Sequence, residues 1–121
     1  MTIQELGEKF CLPVEKLKKY ESCGLLPGRG NEDGTREYSD DDIRILGLIC
    51  ILTESGMSCG EIKKYLSLPE NGQGDRERIL MLKARRGELL QEIHQKQKLL
   101  DKIDFLIREK KQIQEERNYG V

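Results

Sequence analysis

Apolar residues in the first half of the chain recur at helical spacing, and three such stretches each follow a hydroxyl residue that suits a helix start. An acidic residue stands three positions after each hydroxyl, which is the spacing of a capping box. The three pairs are Thr2 with Glu5, Ser39 with Asp42, and Ser58 with Glu61. The pattern therefore predicts helices that begin near Ile3, Asp40 and Cys59.

The first two predicted helices are short, and a tight turn separates them. The first must end near Cys11–Leu12, because Pro13 disfavours helical backbone at the residue before it. Proline is tolerated at the start of the second helix, and Gly24 suits the end of that helix. The apolar face of the second helix consists of Val14, Leu17 and Tyr20. Two short helices broken by a turn are typical of a helix-turn-helix.

Residues 27–38 are rich in Gly, Asn and Asp and include the pair Asp33–Gly34. Glycine in such a pair supplies the positive φ of a tight turn, so the segment predicts a small β-hairpin with very short strands. A bare surface loop is the alternative interpretation of the same residues. After this segment, a third helix should end near Gly56 and a fourth should stop at Pro69.

The polar segment 69–74, with sequence PENGQG, is the best candidate for a boundary in the chain. We expect a head domain over residues 1–70, a long helix over residues 75–117 and a short tail over residues 118–121. Residues 76–116 contain no proline and a single glycine. An uninterrupted helix of about 40 residues, roughly 60 Å long, fits that stretch.

The long helix carries an apolar stripe with a seven-residue repeat. The apolar members of its two columns are Ile79, Ile93, Leu100 and Ile107 in the first, and Leu82, Leu89 and Ile103 in the second. Arg86 and Lys96 interrupt these columns, and polar residues in a seam weaken packing while fixing register. One helix cannot bury its own stripe, so we expect a second copy of the chain to pair with it as a coiled coil.

Composition and charge exclude several classes of protein but do not identify a ligand. The net charge is −1, so any DNA-binding surface must come from how charges are arranged on the fold. No long apolar run or secretory signal is present, which predicts a cytoplasmic protein with no membrane segment. The four cysteines are Cys11, Cys23, Cys50 and Cys59. We expect them to be reduced structural residues, because thiols stay reduced in the cytoplasm. We expect no metal at them, because their spacing is irregular. No catalytic constellation or cofactor motif appears, so we expect neither an enzyme nor a cofactor.

The order and wording of these segments resemble the MerR family of transcription regulators. The family opens on a run like I-G-E-L-A, and residues 3–7 read IQELG. Residues 14–27, VEKLKKYESCGLLP, are similar to the second helix of the family and the turn after it. Residues 34–43, GTREYSDDDI, are similar to its wing and third helix, and the segment from Ser55 to Ile62 to its L-G-F-S-x-x-E-I run.

The resemblance implies a mostly α protein. It comprises a winged helix-turn-helix of about four short helices with a β-hairpin wing, followed by one long dimerisation helix and no separate effector domain. It also implies a homodimer that binds double-stranded promoter DNA, bending or untwisting it for RNA polymerase. The residues that the resemblance assigns to DNA are Lys16, Lys18, Lys19 and Tyr20 on the second helix, and Arg29, Arg36 and Tyr38 on the wing.

The chain departs from the family pattern at several of these positions. Lys18 and Lys19 stand where the family has Arg and Tyr, and Thr35 replaces a Tyr. Pro13 stands where a Ser or Thr usually caps the second helix, and Cys11 replaces a glycine of the turn. Lysine is a point charge without the planar fork of arginine, so these changes weaken base recognition more than phosphate binding.

Three other functions remain open on the sequence. A helical adaptor would use the long helix to bind a different protein, and a phage-type excisionase shares the winged head. A thiol-based redox sensor built on the same DNA-binding fold is the third. The effector, the operator, and the choice between activation and repression are not encoded in any motif that we recognise.

Overall fold

The computed structural model describes residues 1–26, 28–34 and 36–119. Its elements are α1 (Ile3–Phe10), α2 (Val14–Ser22), β1 (Arg29–Gly30), β2 (Arg36–Glu37), α3 (Asp40–Glu54), α4 (Cys59–Ser67) and α5 (Gly72–Tyr119). Within these described ranges, the order confirms the predicted fold class, with four short helices, a small hairpin and one long helix. Two compact units make up the chain: the first is Met1–Met81 and the second begins at Leu82.

All three predicted helix starts are confirmed at the predicted residue, because each cap closes as its sequence indicates. The Thr2 hydroxyl accepts a hydrogen bond from the Glu5 amide at 3.2 Å. Ser39 and Asp42 form a reciprocal capping box, with bonds of 2.9 and 3.2 Å. Ser58 and Glu61 form another in front of α4. A cap of this kind contributes about 1 kcal/mol to helix stability.

The turn between α1 and α2 depends on a left-handed residue and a close backbone approach. Cys11 ends α1 with φ 54° and ψ 40° and donates its amide to the Gly7 carbonyl. Gly7 is buried, and a Cβ there would stand 2.9 Å from the carbonyl oxygen of Leu12. Pro13 then precedes α2 in an extended conformation without a side-chain cap. These residues hold the two helices in the predicted helix-turn-helix.

The predicted β-hairpin is confirmed, and its strands are two residues long. Arg29 lies opposite Glu37, and Gly30 lies opposite Arg36, in antiparallel register. Five residues therefore connect the strands, and the Gly34 amide donates to the Asn31 carbonyl within them at 3.1 Å. Gly34 has φ +85°, which is the positive backbone angle that the Asp33–Gly34 pair predicted. Pro27 and Thr35, which belong to the family motif, lie outside the described residues.

The core of the first unit collects one apolar face from every helix of the head. Its fully enclosed side chains are Leu6, Leu17, Leu26, Leu46, Ile49, Leu52 and Ile62. Side chains of this kind each contribute about 2–3 kcal/mol through burial. Met81, from the third turn of α5, packs against the same cluster.

The long helix begins earlier than the sequence indicated. The prediction that residues 69–74 form a turn is wrong for Gly72, Gln73 and Gly74, which are helical. Asn71 is the reason, because its side-chain oxygen accepts hydrogen bonds from the amides of Gln73 and Gly74 at 3.0 Å each. Gly74 is buried, and a Cβ there would overlap the carbonyl oxygen of Pro69. The glycine is thus required for a close contact and does not mark a flexible linker.

The second unit, from Leu82 onward, is helical as far as Tyr119. Asn118 and Tyr119 continue the helix, which corrects the predicted tail, while residues 120 and 121 lie outside the described residues. Arg85 bonds Glu88 at 2.6 Å and Glu92 at 3.3 Å along one side of the helix. The hydrogen bond to Glu88 raises the pKa of Arg85. No helix in the described ranges combines the length and apolar character needed to cross a bilayer.

Candidate nucleic-acid interface

A surface cleft of about 380 Å³ brings together the start of α1, the outer face of α2 and the far strand of the hairpin. Lys18 of α2 and Arg36 of β2 both line it, although 18 positions separate them in the sequence. Thr2, Ile3 and Gln4 form its third side. The first turn of α1 points the positive end of a helix dipole toward this region, which favours a bound anion.

The orientation of α2 follows from the residues that it buries. Leu17 is fully enclosed and Tyr20 is 2% exposed, so the opposite side of the helix faces solvent. Lys18 and Lys19 lie on that side and are exposed, whereas Lys16 is half-buried. Glu21 also lines the cleft, so one carboxylate shares it with Lys18 and Arg36. The structure therefore keeps Lys18 and Lys19 available to a ligand and restricts Lys16.

The two wing arginines lie on opposite faces of the hairpin. Residues directly opposite each other in an antiparallel pair point to the same side, and neighbours along a strand alternate. Since Arg36 lies opposite Gly30, its side chain is on the other face from Arg29. Arg29 lines a separate cleft of about 400 Å³ with Glu37 and Asp42. Of these two arginines, only Arg36 lines the same cleft as Lys18.

Tyr20 was predicted at the DNA surface, and the structure places it in the core of the head. Its hydroxyl donates to the Cys50 sulfur at 3.9 Å. Burial, with a smaller contribution from Cys50, raises the pKa of Tyr20 to about 12. The sequence already allowed this outcome, because the spacing from Leu17 to Tyr20 also suits an inward face.

Tyr38 was also predicted at the DNA surface, and the structure buries its ring as well. Its side chain is 3% exposed, and a Cβ at Gly28 would lie 2.9 Å from the ring. The Tyr38 amide donates to the Met1 carbonyl at 2.8 Å, and the amino terminus donates back at 3.2 Å. Tyr38 thus joins the start of α1 to the hairpin. It lines the Arg29 cleft and not the cleft that Lys18 and Arg36 share.

The expectation of four reduced cysteines is wrong for Cys23 and Cys59, which form a disulfide. Their separation of 36 residues carries no recognisable motif, so sequence reasoning could not pair them. Cys11 is exposed and Cys50 half-buried, and both are free thiols. Within the described ranges, no group of three or more His, Cys, Asp and Glu residues is arranged to hold a metal ion.

Sequence and structure comparisons agree on one family. Residues 1–68 match the profile described as a MerR HTH family regulatory protein. An HTH-type transcriptional regulator of Haemophilus influenzae is 34% identical over 65 residues, which cover 53% of this chain and 48% of that protein. The chain spans about half the length of the curated relatives that it matches.

Solved structures extend the similarity beyond the head. A MerR-family transcriptional regulator from Bacillus thuringiensis has a TM-score of 0.68 and 26% identity, covering 90% of this chain and 97% of that chain. HiNmlR, a MerR-family regulator lacking the sensor domain, was solved bound to promoter DNA. It has a TM-score of 0.65 and 25% identity, covering 88% of this chain and 86% of that chain.

Proposed function

Because the chain belongs to the MerR family of HTH regulatory proteins, we propose that it is a dimeric transcription regulator that binds promoter DNA through its head. The convergence of Lys18 and Arg36 on one cleft is the observation that carries this proposal. A regulator performs no chemical step, so we assign it no catalytic residue and no cofactor. A regulator of this kind acts on the bacterial chromosome, so the proposal includes a cytoplasmic location.

The exposed residues of α2 supply contacts in the major groove. A recognition helix uses its side chains there for base edges and nearby phosphates. Lys18 and Lys19 are exposed on the outer face of α2, and Lys16 contributes less because it is half-buried. Lysine neutralises phosphate well but reads bases less specifically than arginine. The proposed interface therefore depends more on backbone contacts and DNA shape than on direct readout.

The wing contributes Arg36 to a phosphate beside the groove. A guanidinium forms strong, charge-assisted bonds to phosphate oxygens. The start of α1 lies against the same cleft and favours the same negative charge. Arg29 is on the far face of the hairpin and is not part of this contact in our proposal.

Dimerisation places two heads on one operator, and the exposed stripe of α5 provides the surface. We assign residues 1–70 to the DNA-binding head, and we assign dimerisation to the helix α5, which spans Gly72–Tyr119. The proposed contacts are Ile79, Leu82, Leu89, Ile93, Leu100, Ile103 and Ile107, of which all but the half-buried Leu89 are exposed in the single chain. A dimer that bends or untwists a promoter would present it to RNA polymerase, which is the proposed third partner.

The test compares two arginines of the same wing. Fluorescence anisotropy would measure binding to a labelled duplex from the promoter of the protein's own gene, for wild type, Arg36→Ala and the matched control Arg29→Ala. Each head of the dimer loses one phosphate contact in a substituted protein, so loss of a true contact should weaken binding roughly tenfold or more and lower the slope of log K against log salt by about 2. We expect that result for Arg36→Ala and a change below about twofold for Arg29→Ala.

Equal effects of the two substitutions would contradict the assignment of Arg36 to the interface. Absence of binding at low salt, from a protein shown to be a folded dimer, would contradict the regulator itself. That second result would favour the adaptor, in which the long helix binds a different protein.

A further inference from the structure

The disulfide between Cys23 and Cys59 joins the end of α2 to the start of α4. Cys23 is the residue that terminates α2, and Cys59 is the first residue of α4. Their Cα atoms are 6.1 Å apart, within the range of an ordinary disulfide. Both residues are half-buried, so part of each remains open to a small solute.

The same junction holds α2 against α4 by a second contact. Gly24 follows Cys23 with φ +76°, and a Cβ there would meet the Lys63 side chain at 2.8 Å. The covalent bond and this close packing fix the end of α2, one to two turns from Lys18 and Lys19. Reduction of the bond would leave α2 and α4 held by non-covalent packing alone.

We propose that Cys23 and Cys59 are a reversible dithiol–disulfide switch, and that the oxidised form binds DNA more tightly. The inference rests on the proposed function, because a DNA-binding regulator works in a reducing compartment. A disulfide in such a compartment is usually transient and redox-sensing, whereas secreted proteins carry permanent ones. The bond holds α2 in the orientation that places Lys18 beside Arg36, and preorganisation of a binding surface increases affinity.

A peroxide is the class of oxidant that closes the bond. Cys59 lies in the first turn of α4, where the helix dipole favours negative charge, and its thiolate attacks one peroxide oxygen. The O–O bond breaks, hydroxide leaves, and Cys59 becomes a sulfenic acid. The Cys23 thiolate then attacks that sulfur, the S–S bond forms, and the S–O bond breaks with release of a second hydroxide. The two protons given up by the two thiols convert both hydroxides to water. Two thiols lose two electrons and one hydrogen peroxide becomes two waters.

A small dithiol reductant reverses the reaction by thiol–disulfide exchange. One of its thiolates forms a mixed disulfide with either cysteine of the pair, and its second thiolate displaces that cysteine. The switch returns to two thiols, and the reductant leaves as a disulfide. No metal or cofactor is needed in either direction.

The experiment uses the full chain in two redox states. Wild type, Cys59→Ser and the matched control Cys11→Ser would be treated with hydrogen peroxide or with dithiothreitol. Peptide mapping after alkylation identifies the bond, and anisotropy measures Kd for the promoter duplex in each state. We expect the 23–59 crosslink and a roughly tenfold lower Kd after oxidation in wild type and in Cys11→Ser. Cys59→Ser should form no such crosslink and should keep the reduced Kd in both treatments.

Two results would overturn the switch, and they differ from failure of the proposed function. A crosslink that forms while Kd stays equal within twofold would make the bond purely structural. Absence of the crosslink in oxidised wild type would show that Cys23 and Cys59 do not form a disulfide under oxidising conditions. In both cases, salt-dependent DNA binding would still support the regulator. Absence of DNA binding in both redox states would remove the regulator and, with it, the switch.

Discussion

Cys11 occupies a backbone conformation that side chains disfavour. It is the one non-glycine residue with positive φ in the described part of the chain, at φ 54°. The family pattern has a glycine at this position of the turn, and the geometry supplies the reason for that glycine. A Cβ in the left-handed region costs about 1 kcal/mol or more. The chain therefore tolerates local strain between α1 and α2.

Replacing Cys11 with glycine should relieve that strain. We expect Cys11→Gly to raise the free energy of unfolding by about 1 kcal/mol, because glycine adopts positive φ at little cost. Urea denaturation at fixed protein concentration would measure the change. Cys11→Ala is the control, since it removes the thiol but keeps a Cβ, and it should leave stability nearly unchanged. A gain of equal size in Cys11→Ala would show that the thiol, and not the backbone, was responsible.

Burial of Tyr20 makes the stability of the folded chain depend on pH in the alkaline range. Burial raises its pKa from 10.0 to about 12, so the folded state keeps the phenol protonated where the unfolded chain ionises. Its contribution to stability is complete below pH 10 and is lost as the pH rises through 12. By pH 11 the loss should be about 1 kcal/mol.

The Tyr20→Phe variant isolates this effect. We expect wild type to lose about 1 kcal/mol more stability than Tyr20→Phe between pH 8 and pH 11. Denaturant unfolding at both pH values measures it, and the other titrating groups cancel in the comparison. The same pH dependence in both proteins would mean that Tyr20 ionises normally in the folded state.

At the scale of elements, the junction of α4 and α5 is built around one arginine that no sequence pattern singles out. The Arg78 side chain is 11% exposed. Its guanidinium donates to the carbonyls of Tyr65, Leu68 and Pro69 at 3.1, 2.5 and 3.1 Å. These bonds satisfy carbonyls at and beyond the end of α4, where a positive charge also suits the helix dipole. Asp75 and Glu70 complete the group at 3.2 and 3.3 Å.

Loss of this guanidinium should loosen the junction. We expect Arg78→Met to lower the free energy of unfolding by about 2 kcal/mol, since methionine keeps the apolar stem but leaves the carbonyls without their charged donor. Arg76→Met, an exposed position in the same turn, should change it by less than about 0.5 kcal/mol. Thermal and urea unfolding at equal concentration would compare them. Similar losses in both variants would indicate a general charge effect.

At the scale of the whole molecule, the apolar stripe of α5 is exposed to solvent in the single chain. Ile93 is 63% exposed and Leu100 is 53% exposed. Such side chains along a helix of this length are typical of a coiled-coil surface. Leu99 and Leu106 lie one position to the side of the stripe and are also exposed, which widens the apolar face toward the end of the helix.

Charges in this stripe should separate the proposed dimer. We expect the double variant Ile93→Glu and Leu100→Glu to raise the dimer dissociation constant at least a hundredfold, because each copy would bury two unpaired carboxylates. Analytical ultracentrifugation measures the dissociation constant. Gln95→Glu is the matched control, since it adds a carboxylate to the opposite side of the helix. An unchanged dimer in the double variant would place the interface elsewhere.

Local signals in the amino-acid sequence determine much of the fold. Thr2, Ser39 and Ser58 specify three helix starts, because a cap depends only on residues within one turn. The repeat from Ile79 to Ile107 specifies the long helix and its apolar side for the same reason, since helical periodicity is a property of the local chain. Gly34 marks the hairpin through its backbone freedom.

Tertiary structure alone decided which predicted residues meet. The hairpin register placed Arg36, and not Arg29, beside Lys18, and the packing of α2 turned Tyr20 inward. Cys23 and Cys59 form a disulfide across 36 residues. Arg78 donates to three carbonyls at and beyond the end of α4. These pairings depend on contacts between segments far apart in the chain. Composition, spacing and periodicity describe each segment separately, so they indicate which face of a helix is buried but not which distant segment will pack against it.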